Sequence, residues 1–250
     1  MNKKPLILIT NDDGYFSNGI TKLAEIMHRL GNVIIVAPET EMSGQSHSIT
    51  VTRSIKFRKI ENECYAVDGT PVDCVKIAIN KILKQRPNLI VAGINHGCNA
   101  SINTIYSGTM SAVFEGCAEN IPSIGFSMNS HLHDVSLDYT DKYIYSITQD
   151  VIKNGLKPLT CLNVNFPVGK IKGIKVCHQA KAFWKENFIP ETNENGEISF
   201  WLNGQYNLLD MSDRADFRAL TDGYVSITPM QVDFTAYNVL EEYSKRFDQC

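Results

Sequence analysis

Leu6-Ile7-Leu8-Ile9-Thr10-Asn11-Asp12-Asp13-Gly14 passes in one step from an unbroken apolar run to a polar turn. A strand with one face in water alternates apolar and polar residues, whereas a run that is apolar throughout suits a strand covered on both faces. Leu6 to Thr10 is therefore read as a fully buried strand. The same texture returns at Val33 to Ala37, at Leu89 to Gly93 and at Ser123 to Met128. Helical periodicity fills the intervals. Gly19 to Leu30 puts Ile20, Leu23, Ala24, Met27 and Leu30 on one face. Thr70 and Pro71 supply an N-cap and a first helical residue for the stripe Val72, Val75, Ile79 and Ile82. Segments from about Thr109 to Glu119 and from Tyr139 to Asn154 read the same way. Buried strands alternating with helices predict an α/β fold, a doubly wound and mostly parallel sheet with helices on both faces.

Beyond Cys161 the pieces are shorter and β-like: Leu162 to Phe166, Ile174 to Cys177, Ile198 to Leu202 and Tyr224 to Thr228. Asn195-Gly196, inside the polar stretch Glu191 to Glu197, marks a hairpin tip. The expected organisation is an α/β core over residues 1–160, followed over residues 161–250 by a β-rich stretch of hairpins or an extended arm that completes the same domain.

The 250 residues carry 24 Lys+Arg against 27 Asp+Glu, a net charge of -3. With no basic block either, this composition argues against a nucleic-acid polymer as partner. No apolar run approaches the roughly 18 residues of a membrane helix, and the run at Leu6 is too short for a signal peptide. The seven scattered cysteines contain no Cys-x-x-Cys pair and read as thiols in a reducing, cytoplasmic setting. Neither a dinucleotide glycine fingerprint nor a P-loop occurs, and no Gly-x-Ser-x-Gly elbow occurs.

Ligands of an open parallel sheet bind outside the carboxyl ends of its strands. Asn11-Asp12-Asp13-Gly14 follows the first strand, Ser43-Gly44 the second and Asn95-His96-Gly97 the third. Two carboxylates, a hydroxyl and a carboxamide are hard oxygen donors, which outlines a site for a divalent cation such as magnesium or manganese. Tyr106-Ser107-Gly108-Thr109 precedes a helix, so Ser107, Thr109 and first-turn amides form a candidate phosphate cradle. Taken singly, the tetrapeptide is equally well a polar turn, and Ser107 or Thr109 more readily a helix cap than a phosphate ligand. His47, His96, His131, His133 and His178 are possible acid or base groups, none within a triad-like signature.

Leu8 to Gly14, Ala37-Pro38 to Ser43-Gly44, Gly69-Thr70-Pro71-Val72-Asp73-Cys74, Gly93 to Gly97 and Tyr106 to Thr109 together resemble the SurE (survival protein E) family. Asp216-Phe217 and Gly223 to Pro229 extend the likeness over nearly the whole chain. That resemblance implies a metal-dependent 5'-nucleotidase with a Rossmann-like core. It also implies a C-terminal hairpin arm exchanged between subunits, hence a homodimer or homotetramer. It implies one divalent cation per subunit on Asp12, Asp13, Ser43 and Asn95, and a phosphate held by Ser107, Gly108 and Thr109, with Asn95 beside it. Asp12, Asp13, Ser107 and Thr109 are the expected catalytic residues, and a nucleoside 5'-monophosphate the expected substrate, with 3'-nucleotides and short polyphosphate as further candidates. One departure stands out. Asn99-Ala100-Ser101-Ile102-Asn103 lies where many relatives carry a glycine and one or two acidic residues. Two rival readings use the same pocket: a non-catalytic nucleotide sensor, and a hydrolase acting on polyphosphate or a sugar phosphate.

Overall fold

The computed structural model describes residues 4–130, 132 and 135–248. His131, His133 and Cys250 lie outside the described residues. The chain runs β1 (Leu6–Thr10), α1 (Asn18–His28), β2 (Asn32–Pro38), β3 (Phe57–Glu61), β4 (Cys64–Val67), α2 (Pro71–Ile77) and β5 (Leu89–His96). It continues with α3 (Gly108–Ala118), β6 (Ser123–Met128), α4 (Asp141–Asn154), β7 (Thr160–Phe166) and β8 (Ile174–Val176). β9 (Ala182–Thr192), β10 (Ile198–Leu208), α5 (Asp216–Thr221), β11 (Val225–Gln231) and α6 (Tyr237–Phe247) complete it.

Nine strands form one sheet in the order β3-β4-β2-β1-β5-β6-β7-β11-β8. The six from β4 to β7 are mutually parallel, β3 and β11 run antiparallel to their inner neighbours, and β8 is parallel to β11. Every residue of β1 is buried. Ile7 and Ile9 face a layer containing Ile20, Leu23 and Met27 of α1 and Ile144 of α4. Leu8 faces the other layer, where Cys74 and Val75 of α2 meet Met110 and Val113 of α3. The sheet is thus doubly wound, as its continuous apolar strands demand. Along the chain β1 leads through α1 to β2 on one side, while β5 lies on its other side. Loops leaving β1 and β5 therefore diverge and open a crevice at the carboxyl edge.

Local chemistry sets the helix starts. Thr70 accepts the Asp73 amide at 3.2 Å while the Asp73 carboxylate accepts the Thr70 amide at 2.9 Å, a reciprocal cap with Pro71 at the first position. The helix expected to run through Ile82 instead widens into a π turn over Ala78–Ile82. Ser17 caps α1, and Gly19 lets that helix lie on β5. A Cβ at Gly19 would sit 2.1 Å from the Ile94 carbonyl oxygen. Gly19→Ala is expected to lower stability by about 1–3 kcal/mol, because backbone on both sides must separate. The check is a urea midpoint that falls at unchanged slope; a midpoint equal to the parent's would contradict the contact.

The segment after Cys161 divides in two. β7, β11 and β8 extend the main sheet, whereas β9 and β10 form a separate two-stranded ribbon. Each ribbon strand has 11 residues, longer than the Ile198 to Leu202 piece legible beforehand. Asn193 to Glu197 closes it, with Gly196 at φ +80° and its amide on the Asn193 carbonyl at 3.0 Å. The stretch expected as a loop from Ile94 to Ser107 is also more ordered: β5 runs on to His96, and Ser101–Tyr106 is a 3-10 turn.

Candidate active site

The polar turn after β1 is built by Asn11. Its buried carboxamide donates to the Gly14 carbonyl at 2.9 Å and the Ser17 hydroxyl at 2.8 Å, and accepts the Gly14 amide at 3.2 Å. Asn11 is thereby consumed in folding the turn, which leaves Asp12 and Asp13 to do other chemistry.

Asp12 is only 4% exposed. The Thr109 hydroxyl donates to its Oδ1, and the Thr109 amide and its own amide also reach the carboxylate. Burial nonetheless pushes the Asp12 carboxyl above the usual carboxylate range, with the charge of Glu41 adding to it. Gly108 lies against the same side chain: a Cβ there would stand 2.7 Å from the Asp12 Cβ and 2.8 Å from its Oδ2. Asp13 is pushed up to about 7, by burial first, then by the charges of Asp12 and Glu41, against the His96 backbone amide. Its Oδ2 is buried without a hydrogen-bond partner. Like charges stacked in a dry crevice are unfavourable unless a cation neutralises them.

The other expected residues are placed as follows. The loop after β2 is tied to the pair by the Met42 amide, which donates to the Asp12 carbonyl at 2.7 Å. Ser43 in that loop is exposed and donates to Glu41 Oε1 at 2.8 Å. Asn95, at the end of β5, donates its Nδ2 to the Gly97 carbonyl at 2.8 Å, which leaves Oδ1 as its acceptor. Ser107 caps α3 by accepting the Met110 amide at 3.0 Å, so its own hydroxyl proton is still available to a ligand. The cradle is narrower than a bare helix start, because the Thr109 and Met110 amides already have protein acceptors. Gly108 keeps the amide that helix geometry leaves over. Thus Asp12, Gly108 and Thr109 touch, Asp13 adjoins them, and Ser43 and Asn95 flank the pair on neighbouring loops. Among the described residues no group of three or more His, Cys, Asp or Glu gathers as a metal centre.

Glu41 was missed in the sequence, though the rule that selected Ser43 covers it: it is an acidic residue in the loop after β2. A second missed device holds that loop. Glu115 of α3, only 6% exposed, receives Lys76 Nζ at 2.6 Å and meets His47 Nε2 at 3.4 Å. His47 and Lys76 keep its carboxyl below the ordinary 4.5 despite burial. A depressed carboxylate contributes stability above its unfolded value and loses it as pH falls through the folded one. Glu115→Gln is accordingly expected to cost about 1 kcal/mol at pH 7, since its partners are half in water, with the difference shrinking as pH falls below 4.5. Urea melts at pH 7 and pH 3.5 check this; a pH-independent difference would contradict it.

The departure at Asn99 to Asn103 is woven into the sheet edge. The Asn99 amide donates to Asn165 Oδ1 at 2.8 Å, its Nδ2 to Ser127 Oγ at 2.8 Å, and its carbonyl accepts Asn163 Nδ2 at 2.8 Å. Buried Asp216 accepts the amides of Ser101, Ala180 and Phe217 at 2.7–3.0 Å, which fastens this loop to the base of the ribbon.

Known proteins resemble this chain in sequence and in fold. The family described as Survival protein SurE matches residues 7–186. The 5'-nucleotidase SurE of Christiangramia forsetii is 47% identical over 97% of this chain and 96% of its own length. Its namesake from Flavobacterium psychrophilum is 44% identical over 95% and 96%. The crystal structure of the SurE protein from Aquifex aeolicus superposes with a TM-score of 0.85 at 38% identity, covering 97% of this chain and 99% of that one. Likeness of this degree from one end to the other makes the chain a member of the SurE family.

Proposed function

We propose that the chain is a 5'-nucleotidase, a phosphomonoesterase that releases phosphate from nucleoside 5'-monophosphates with one divalent cation per subunit. The observation that carries this reading is the Asp12–Asp13 pair, buried beside Glu41 with Asp13 Oδ2 unpartnered. The names of the relatives from Christiangramia forsetii and Flavobacterium psychrophilum point the same way. Asp12 and Asp13 would hold the cation, with Ser43 Oγ and Asn95 Oδ1 as neutral donors. This all-oxygen set suits magnesium or manganese. Bound there, the cation would neutralise phosphate charge and acidify water.

The protein's own groups have separable tasks. Thr109 orients Asp12, its hydroxyl proton being committed to Oδ1. The Ser107 hydroxyl and the Gly108 amide would donate to phosphate oxygens as negative charge gathers there in the transition state. Gly108 lets the phosphate approach the carboxylate pair, since any side chain would occupy that space.

The ribbon supports an arm that pairs with a second copy: Phe188, Phe200, Trp201 and Leu202 are all more than half exposed. Six described cysteines are free thiols, which fits a reducing cytoplasm. No described helix is long and apolar enough to cross a membrane.

The test is phosphate release from nucleoside 5'-monophosphates, 3'-nucleotides and short polyphosphate, with and without EDTA. Release from 5'-monophosphates that stops with EDTA supports the reading. Binding without turnover would make the chain a sensor, and release from polyphosphate alone would overturn the substrate assignment.

A further inference from the structure

Next to the phosphate cradle lies a cavity of about 370 Å³ lined by Tyr106, Trp184, Glu186, Leu202, Asn203 and Gly204. Tyr106 is the residue before Ser107, so its Cα is about 3.8 Å from that of the helix cap. The remaining walls come from one face of the ribbon. Trp184 pairs with Tyr206, Glu186 with Gly204 and Phe188 with Leu202 across the two strands. Because position 204 has no side chain, the space opposite Glu186 stays open. A Cβ there would come within 3.3 Å of Trp184 Cε3.

Trp184 is held in place. Its Nε1 donates to Asn103 Oδ1 at 2.9 Å, and its ring meets Tyr206 edge-on at 5.4 Å, which in turn packs on Phe217 at 5.0 Å. Asn103, on the 3-10 turn that ends at Tyr106, thus serves as acceptor for the indole N–H. An aromatic wall fixed in this way beside a phosphate cradle has the size and character of a site for a flat heterocycle.

We propose that this cavity is the seat of the nucleoside base, with Trp184 and Tyr106 as its stacking walls and Glu186 facing the edge of the base. The seat rests on the nucleotidase reading above, which supplies the phosphate end of the same substrate. Glu186 carries a carboxylate, which only accepts hydrogen bonds when ionised. It selects bases that present N–H donors side by side, and guanine offers the most through N1–H and its 2-amino group. Hypoxanthine keeps N1–H and lacks the amino group.

The experiment compares kcat/KM for guanosine 5'-monophosphate, inosine 5'-monophosphate and ribose 5-phosphate, which has no base. Trp184→Ala is expected to lower the ratio of guanosine nucleotide to ribose 5-phosphate roughly ten-fold, while Trp184→Phe restores most of it. Glu186→Gln is expected to narrow the preference for the guanosine over the inosine nucleotide. Should Trp184→Ala fold poorly, Trp201→Phe leaves Trp184 as the one tryptophan of the two in the chain, and guanosine is expected to quench it. Equal losses on all three substrates, no quenching by guanosine, or a wild-type enzyme blind to the 2-amino group would overturn the seat while leaving nucleotide hydrolysis standing. Release from ribose 5-phosphate but from no nucleotide would overturn the nucleotidase reading and the seat together.

Discussion

Asp12→Asn and Asp13→Asn are each expected to lower phosphate release from nucleoside 5'-monophosphates about 10³-fold, with the fold intact. The size follows from the proposed role: each substitution would remove one of two charges that would hold a cation against the reacting phosphate, a loss comparable to deleting a main electrostatic stabiliser. The stability outcome separates this role from a structural one. Both carboxyls are raised from their ordinary value by burial, and Asp13 also by Asp12 and Glu41. Neutralising either group therefore relieves repulsion in the cation-free protein, and the variants are expected to melt no lower than the parent in EDTA. Groups kept against stability are characteristic of function. Turnover within ten-fold of the parent, or melting well below it, would contradict the assignment.

Gly108→Ala is expected to reduce kcat/KM by at least 10²-fold and to lower stability by about 1–3 kcal/mol. Position 108 opens a helix and has no positive φ, so alanine is conformationally allowed there and is intrinsically the better helix former. The obstacle is steric and local: the new methyl group would stand 2.7 Å from the Asp12 Cβ and 2.8 Å from Oδ2. Rotating the Asp12 side chain moves Oδ2 but not Cβ, so the turn after β1 or the start of α3 must shift, which breaks the alignment of Asp12 by Thr109 and fills the approach to the carboxylate pair. Misplacement of this order is costly to catalysis. Steady-state kinetics and a melting curve test this; activity within three-fold of the parent would show that the contact yields without consequence.

Burial made the central fold legible. β1, β2, β5 and β6 are covered on both faces, so their sequences are apolar throughout and stand out. β3, Phe57-Arg58-Lys59-Ile60-Glu61, is an edge strand with four of five residues exposed, and nothing in its pattern announces a partner. α6 has an amphipathic sequence and no buried residue, so it lacks the covered stripe by which helices are recognised. β9 was unreadable for a related reason: it is stabilised by its eleven-residue register with β10 rather than by a core.

The candidate site divides along the same line. Asp12 and Asp13 come just after buried β1 and Asn95 lies in the last residues of buried β5, and topology alone brings such residues to one edge. That Ser107 or Thr109 caps α3 was within reach of local rules; that Ser107 is the cap, while Thr109 binds Asp12 from 97 residues away, was settled only by the fold. The Asn103–Trp184 contact joins residues 81 apart, from the 3-10 turn after β5 to the ribbon, a pairing that no local pattern encodes. Aromatic walls for the base therefore emerged only from the structure.

One titration bears on the centre of all this: phosphate release from a nucleoside 5'-monophosphate as manganese is returned stepwise to EDTA-stripped protein. Activity absent at the start, rising to a plateau at one equivalent per chain and abolished by Asp13→Asn, is the predicted result. Full turnover by the stripped protein, or a rise that Asp13→Asn leaves unchanged, would contradict a catalytic cation on the Asp12–Asp13 pair.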